Sequence, residues 1–340
     1  MPSLISSFLL ASGIYLLTRR FTSPLPRIIM YHGFCGNNEE VERCLSTNVF
    51  RRQLLYLKEK YQPYKLSDLI AYRKKEGVYP YRSVVITVDD GYYSFYKWAF
   101  PLLREFGIPA TVCIPNGLID QKDWIWSDKL LYLIEKSGYP YERRRELWNA
   151  LKKGSLVERE SRLADLSRKM GITIPMEAPD KYKLMSWKHL QEIAETRLVE
   201  IGSHTRTHPV LSSLSLDESW EEVHKSRREI QDRLNLDVSS FFYPYGALED
   251  YRQDQVEMIR NSGYQCAVAG HFGFIWRNSD IYVLPRISAA QETNRFKKYI
   301  DGFELIQTLT TNKISSIVNT GKFARLIKHI PGLSKLGFKK

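Results

Sequence analysis

From Pro26 onward, short apolar runs of strand length alternate with amphipathic stretches of helical period, and chemically reactive side chains stand where the strand runs stop. The runs are RIIMYH from Arg27, SVVITVDDG from Ser83, PATVCIPNG from Pro109, LVEIGSH from Leu198, SSFFYPYG from Ser239, YQCAVAG from Tyr264 and IYVLPRI from Ile281. Helical patterns lie between them: Asn48 to Lys60 with Asn48 as its cap, about Ser94 to Phe106 closing on Gly107, Ser186 to Thr196, Leu216 to Asn235, and Asp254 to Gly263. Strand, helix and strand in tandem demand parallel pairing. His32, Asp89, Asp90, His204, Tyr245 and Arg286 all sit at or just after the carboxyl ends of these runs, which is the catalytic face of a parallel α/β barrel. Between about residues 138 and 183 the rhythm breaks into charged, helix-forming stretches with no strand, read as a helical insertion that caps the site.

A chain of 340 residues with 43% hydrophobic side chains can bury one catalytic domain of about 250 residues and carry appendages at its ends. The net charge of +12 is mostly a property of one end: after Glu304 there are seven lysines and arginines and no acid. In the same stretch Ile314, Ile317, Val318, Phe323, Leu326, Ile327 and Ile330 recur at helical spacing. That describes a basic amphipathic helix, lying on an anionic membrane or packed on the domain with a solvated basic side. At the other end Met1 to Leu17 carries no charged side chain, and its 14-residue apolar run from Leu4 falls short of the roughly 20 residues a perpendicular span needs. Arg19 and Arg20 follow the run instead of preceding it, which argues against a cleaved signal peptide and, by the positive-inside bias, for a cytoplasmic catalytic domain on the inner membrane. The periplasmic or extracellular face is the alternative. Four cysteines make no disulfide framework. Cys113 and Cys266 lie in apolar runs as small buried residues, while Cys35 and Cys44 are near enough to pair if exported, and a reducing compartment is favoured. The expected organisation is a membrane-associated segment over 1–22, a catalytic domain over 26–290 and a basic tail over 291–340.

Three motifs carry the chemistry. In GSHTRTHP, from Gly202, two histidines four apart would project from one side of a helical turn, so that both imidazoles reach one ion. Two unrelated histidines are the bland alternative. TVDDG, from Thr87, ends a buried strand in adjacent carboxylates whose side chains must point in opposite directions and so take different roles, unless Asp-Gly is only a turn. Two histidines and one carboxylate leave open metal positions for water and substrate. The third is FFYPYG, from Phe241.

In order and strand-end placement, TVDDG, HTRTH and FYPY resemble the TFDDG, HSxxH and RxPY motifs of the NodB-homology polysaccharide deacetylases, carbohydrate esterase family 4, over about Arg27 to Ile287. The resemblance implies an α/β fold, a distorted parallel (β/α)7-type barrel with a helical insertion. It further implies that Asp90, His204 and His208 bind a divalent metal, usually zinc. Asp89 would be the general base toward the hydrolytic water, and the backbone N–H of Tyr245 would stabilise the oxyanion. The activity would be metal-dependent N-deacetylation of an acetylated amino-sugar glycan or a lipid-linked sugar, with no organic cofactor. Two positions depart from the pattern: Phe242 stands where the family has an arginine, and no Leu-x-His follows near the end of the domain. A subgroup with YPYG is nearer, and in it a pair such as Pro285-Arg286 occupies the last strand. Arg286 is therefore the candidate for fixing Asp89, and His32 the candidate acid, with a satisfied core histidine as its alternative. Trp126, Asp128 and Trp187 are candidates to line the groove, whereas His189 and His224 read as surface residues. A non-catalytic glycan-binding relative is the competing reading. Nucleic-acid binding is set aside because the basic residues lie in an apolar-rich tail without a recognised motif.

Overall fold

The computed structural model describes residues 14–37, 44–152 and 154–304. The strands are β1 (Arg27–Tyr31), β2 (Gly33–Cys35), β3 (Cys44–Ser46), β4 (Gln62–Tyr64), β5 (Ser83–Val88), β6 (Ala110–Ile114), β7 (Val199–Ser203), β8 (Ser240–Phe242), β9 (Cys266–Phe272) and β10 (Leu284–Ser288). The sheet runs β1-β10-β9-β8-β7-β6-β5-β4, and β1 also pairs with β5, from Arg27 opposite Val84 to Tyr31 opposite Val88. Seven parallel strands thus close a barrel. β5 gives one edge to β1 and divides the other, with β4 along Ser83 to Val85 and β6 along Thr87 and Val88, and this splay is what distorts the ring. All six residues of β5 are buried, as expected of an apolar run covered on both faces.

Side-chain parity decides which residues see the barrel interior. Ile28, Val85, Cys113, Phe242, Cys266, Val268 and Leu284 form one buried cluster, while Ile29, Val84, Ile86, Val88 and Val112 belong to the larger cluster that packs under the helices with Phe50, Leu54 and Leu103. Counting in twos from the inner set carries the interior face on to His32, Asp89 and Arg286.

Several sequence expectations are corrected. The first helix of the barrel runs Thr47–Lys60 and is capped by Ser46, whose hydroxyl accepts from the Val49 N–H, so Asn48 lies inside it. The helix before Gly107 is present as expected, with its first part, Phe95–Ala99, wound as a π-helix and its second, Phe100–Phe106, as an α-helix. Helices begin before the expected insertion: Asn116–Gln121 and Trp126–Ser137 precede Tyr141–Lys152 and Leu156–Met170 between β6 and β7. The domain also extends past residue 290, because helix Thr293–Ile300 packs Phe296 and Ile300 into the core. Strands β2, β3 and β4 and helix Leu66–Glu76 were not foreseen. The pairing of β2 with β3 places Cys35 opposite the strand that starts at Cys44, and the two sulfurs form a disulfide across a Cα separation of 5.7 Å, where reduced thiols were expected. Cys113 and Cys266 are free and buried. No helix among the described residues is long and apolar enough to cross a membrane; most of the apolar 1–22 segment and the basic tail from residue 305 lie outside the described residues.

The disulfide closes a short loop, so by unfolded-state entropy its removal should cost about 2–3 kcal/mol. Cys35→Ser with Cys44→Ser is expected to lower the melting temperature by several degrees in calorimetry, and reductant should do the same to the parent but not to the variant.

Candidate active site

Asp89 and Asp90 separate because the strand ends between them. The Asp89 N–H still donates to the Tyr31 carbonyl at 2.9 Å, in the ladder with β1, whereas Asp90 and Gly91 have φ of 71° and 67° and turn the chain away. Gly91 is required twice over, since a Cβ there would lie 2.8 Å from Ile114 Cγ2. Asp89 consequently faces the closing strands. Its Oδ1 accepts from Arg286 Nη1 at 2.6 Å and from the Cys113 thiol at 3.2 Å, and its Oδ2 is 3.9 Å from His32 Nε2. Arg286 is itself fully buried, with Nε donating to the Ala269 carbonyl and the guanidinium over the Phe242 ring at 5.5 Å. The guanidinium thus reaches the space above Phe242 from β10, not from β8.

Asp90 turns the other way, toward the segment after β7. Its Oδ1 lies 3.5 Å from His204 Nε2 and 3.3 Å from His208 Nε2, and the two Nε2 atoms are 3.2 Å apart. The expectation of a helical turn is corrected: Thr205 and His208 have φ of 64° and 58°, so the chain folds back in a left-handed turn, stapled by Thr205 Oγ1 accepting from the His208 N–H at 3.0 Å. The imidazoles meet all the same. His204 Nδ1 hydrogen-bonds the Phe242 carbonyl at 2.8 Å, so Nδ1 carries the proton and Nε2 presents its lone pair to the cluster.

Three electron-pair donors aimed at one point, without protons between them, repel unless a cation lies among them. The three separations of 3.2–3.5 Å match the edge of roughly 3.4 Å expected for ligands about 2.1 Å from a four-coordinate ion. Asp90, His204 and His208 therefore fit a divalent metal as a set. Burial and the neighbouring imidazole depress the His208 pKa against the pull of Asp90, keeping the ring neutral as a ligand. For both carboxyls burial works upward and loses. Arg286 above all holds Asp89 below its usual range, and the two imidazoles at its edge hold Asp90 well below.

Tyr245 completes the floor. Its φ is 62°, the Gly246 N–H donates to the Pro244 carbonyl, and no acceptor for the Tyr245 N–H is found among the described residues. Gly246 permits this turn, because a Cβ there would sit 2.3 Å from the Gly270 nitrogen. The Tyr245 ring packs edge-on to His208 at 4.9 Å and to Trp148 at 5.5 Å. Around these groups opens a cavity of about 920 Å³ whose walls include Tyr93, Trp98, Trp148 and Tyr182. Trp148 and Lys152 come from the helical insertion, and Lys152 pairs with Asp250 on the loop that follows Tyr245.

All seven residues expected at the site are brought to one place except in degree: His32 is at the rim, its side chain 44% exposed. Asp128 lines the cavity and accepts from the Tyr92 hydroxyl at 2.7 Å. Trp126 does not line it; the ring is buried beneath Tyr245 and the Arg159 guanidinium. Nor does Trp187, which donates to Asp120 outside the cavity. His189 and His224 are half-buried against Tyr93, Tyr96 and Trp220, not free on the surface. Cys113, Trp98, Trp148 and Tyr182 escaped the sequence reading. Parity along β6 would have found Cys113, and nothing local marks the others.

The profile of the family described as polysaccharide deacetylase matches residues 77–267. Among curated proteins, the poly-beta-1,6-N-acetyl-D-glucosamine N-deacetylase of Staphylococcus aureus strain MSSA476 is 23% identical over 272 residues, covering 79% of this chain and 77% of its own length. The protein of that name from Escherichia coli O157:H7 is 26% identical over 231 residues, 68% of this chain but only 27% of the relative. In fold the chain is similar to the Streptococcus pyogenes deacetylase PplD in complex with acetate, with a TM-score of 0.57, 18% identity and coverage of 84% of this chain and 99% of that one. IcaB from Ammonifex degensii superposes with a TM-score of 0.56 at 16% identity, over 82% of this chain and 97% of its own.

Substituting Asp90→Asn or His208→Ala should weaken divalent-metal binding by at least a hundredfold, read by elemental analysis after dialysis. Arg286→Met leaves Asp89 buried without its cation. The Asp89 pKa should then rise, the acidic limb of the kcat/KM profile should move to higher pH, and activity at neutral pH should fall about 10- to 100-fold, with circular dichroism checking that the buried-pair loss of about 3–5 kcal/mol leaves a folded chain.

Proposed function

The chain belongs to the polysaccharide deacetylase family, hydrolases of carbon–nitrogen bonds other than peptide bonds, and from that premise we propose that it removes acetyl groups from an N-acetylated amino sugar in a cell-surface polysaccharide or its lipid-linked precursor. The observation that carries this reading is the pairing of two adjacent buried carboxylates with different partners, Asp90 with two imidazoles and Asp89 with Arg286. The names of the Staphylococcus and Escherichia relatives support an N-acetylglucosamine polymer as the substrate class. A cavity of about 920 Å³ with four aromatic walls supports the same choice, since it exceeds one sugar ring and offers faces on which several can stack. The arginine over Phe242 favours placing the chain with the YPYG-type members.

Asp90, His204 and His208 would hold a divalent cation, which we take to be zinc from the two-histidine, one-carboxylate set; when bound it would supply Lewis-acid polarisation of a carbonyl oxygen and lower the pKa of a water. The chain's own groups do the rest. Asp89, ionised and anchored on Oδ1, has Oδ2 free to take a proton as the water oxygen attacks the acetamide carbon. The Tyr245 N–H donates to the oxygen that gains charge. His32 at the rim gives a proton to the nitrogen as the carbon–nitrogen bond breaks, so that one water and one amide become acetate and an amine. Arg286 acts through Asp89 as a positioning residue.

The Cys35–Cys44 disulfide supports an oxidising compartment for the catalytic domain, hence the periplasmic or extracellular face in preference to the cytoplasmic one that Arg19 and Arg20 favour. Thiol trapping in intact cells reads this directly, and two free thiols at 35 and 44 would restore the cytoplasmic assignment.

Acetate release from a β-linked N-acetylglucosamine oligomer should be metal-dependent and should fall by about 10²–10⁴ in kcat for Asp89→Asn. His32→Gln should lower kcat with little change in KM. Binding of the oligomer by the parent without any acetate release would instead favour a glycan-binding relative.

A further inference from the structure

Helix Tyr141–Lys152 of the insertion divides its side chains between two environments. Leu147 and Leu151 pack into the apolar core of the insertion with Leu130, Ile134 and Leu163, while Trp148 and Lys152, one turn apart on the neighbouring stripe, line the catalytic cavity. The end of this helix is pinned from the next one. Arg159, fully buried, donates from Nε to the Leu151 carbonyl at 3.2 Å and from Nη2 to the Gly154 carbonyl at 2.9 Å, and its guanidinium lies 4.8 Å from the ring centre of Trp126. Lys152 is thereby delivered to a fixed place.

That place adjoins the loop whose backbone closes the site. The Lys152 ammonium lies 4.9 Å from the ring centre of Trp148 and 5.4 Å from that of Tyr245, and it pairs with the Asp250 carboxylate. The Lys152 side chain is 14% exposed and that of Asp250 1%. Asp250 in turn closes the loop that follows Tyr245. Its Oδ2 accepts from the Ala247 N–H at 3.0 Å, its own N–H donates to the Ala247 carbonyl at 2.9 Å, and its carbonyl accepts from the Ser212 N–H at 2.9 Å. Both carboxylate oxygens are therefore committed, one to the loop and one to the insertion. Tyr245, at φ of 62°, stays in the left-handed region only while surrounding contacts impose it.

We propose that Lys152 is a positioning residue for the deacetylation step: through Asp250 it locks the loop from Tyr245 to Asp250 against the insertion and so aims the Tyr245 N–H at the oxygen that gains charge. The inference rests on the deacetylase reading and deepens it, because it makes the insertion part of the catalytic apparatus and not only a cover. A buried ion pair adds little stability over apolar side chains of the same shape, so the use of this one is geometric. Oxyanion donors act when they are fixed in advance, and a displacement of about 1 Å can cost on the order of a hundredfold in rate.

The test compares Lys152→Met with the parent, both as the full chain, in acetate release from a β-linked N-acetylglucosamine oligomer and in amide hydrogen exchange over residues 245–250 without substrate, read by mass spectrometry. The variant should lose about 10- to 100-fold in kcat, with KM within about threefold of the parent and metal content unchanged, and its 245–250 amides should exchange at least about tenfold faster. Lys152→Arg, which keeps a cation over the two rings, should restore most of both. Lys152→Met combined with Asp250→Asn leaves no unpaired buried charge and keeps an acceptor for the Ala247 N–H, so it should stay folded even where the single variant does not, and show the same losses. A rise in KM at unchanged kcat would make Lys152 a substrate contact, and exchange no faster than in the parent would remove the lock; either result overturns the proposal. Exchange needs no turnover, so a parent that releases no acetate defeats the deacetylase reading while the exchange rates still decide whether the lock exists.

Discussion

Adjacent carboxylates buried at the end of one strand are costly unless each acquires a cationic partner of its own, and this requirement organises the whole upper half of the barrel. Asp89 and Asp90 are both nearly inaccessible. Closure of β1 on β5, with β10 beside β1, brings Arg286 to the first, and the left-handed turn after β7 brings two imidazoles to the second. The partners differ in kind. A guanidinium cannot surrender its proton, so Asp89 stays ionised. Neutral imidazoles offer lone pairs, so Asp90 becomes one member of a metal-ligand set.

Strain collects around the same point. Eight described residues other than glycine take positive φ, and four of them, Asp90, Thr205, His208 and Tyr245, stand at the site. Such conformations cost of order 1–3 kcal/mol each and persist only where surrounding contacts impose them. Here the contacts can be named: Ile114 against Gly91, the Thr205 hydroxyl on the His208 N–H, and the Gly270 backbone against Gly246. A rigid turn aims the Tyr245 N–H, and a rigid strand end aims Asp89.

What could be read from the residues was what depends on period two and on order along the chain. The alternation of strands and helices implied parallel pairing, and the positions of His32, Asp89 and Arg286 at the carboxyl ends of strand runs put them on one face of the barrel before any distance was known. Illegible features depend on segments far apart in sequence or on backbone angles that composition does not encode. The His204 turn is left-handed although its spacing fits a helix, because Glu222 draws in the N–H groups of Arg206 and Thr207 from another element. Trp148 reaches the cavity and Trp126 does not, a difference set by how the insertion helices pack on each other. That Cys35 and Cys44 pair could not be settled from the residues, because the short parallel strands that join them have no sequence signature of their own.

The two ends of the barrel treat buried charge differently, and the difference locates the ligand without reference to any motif. At the base, Arg27 and Asp301 are satisfied within the protein, by carbonyls, by tyrosine hydroxyls and by the faces of Tyr61 and Phe274. At the mouth, three lone pairs face one another, and among the described residues the Nδ1 atom of buried His208 has no hydrogen-bond partner. A protein can tolerate an incomplete cluster of that kind only where something else completes it. The base holds its buried charges within the protein, and the mouth gathers a donor set that fits a divalent cation.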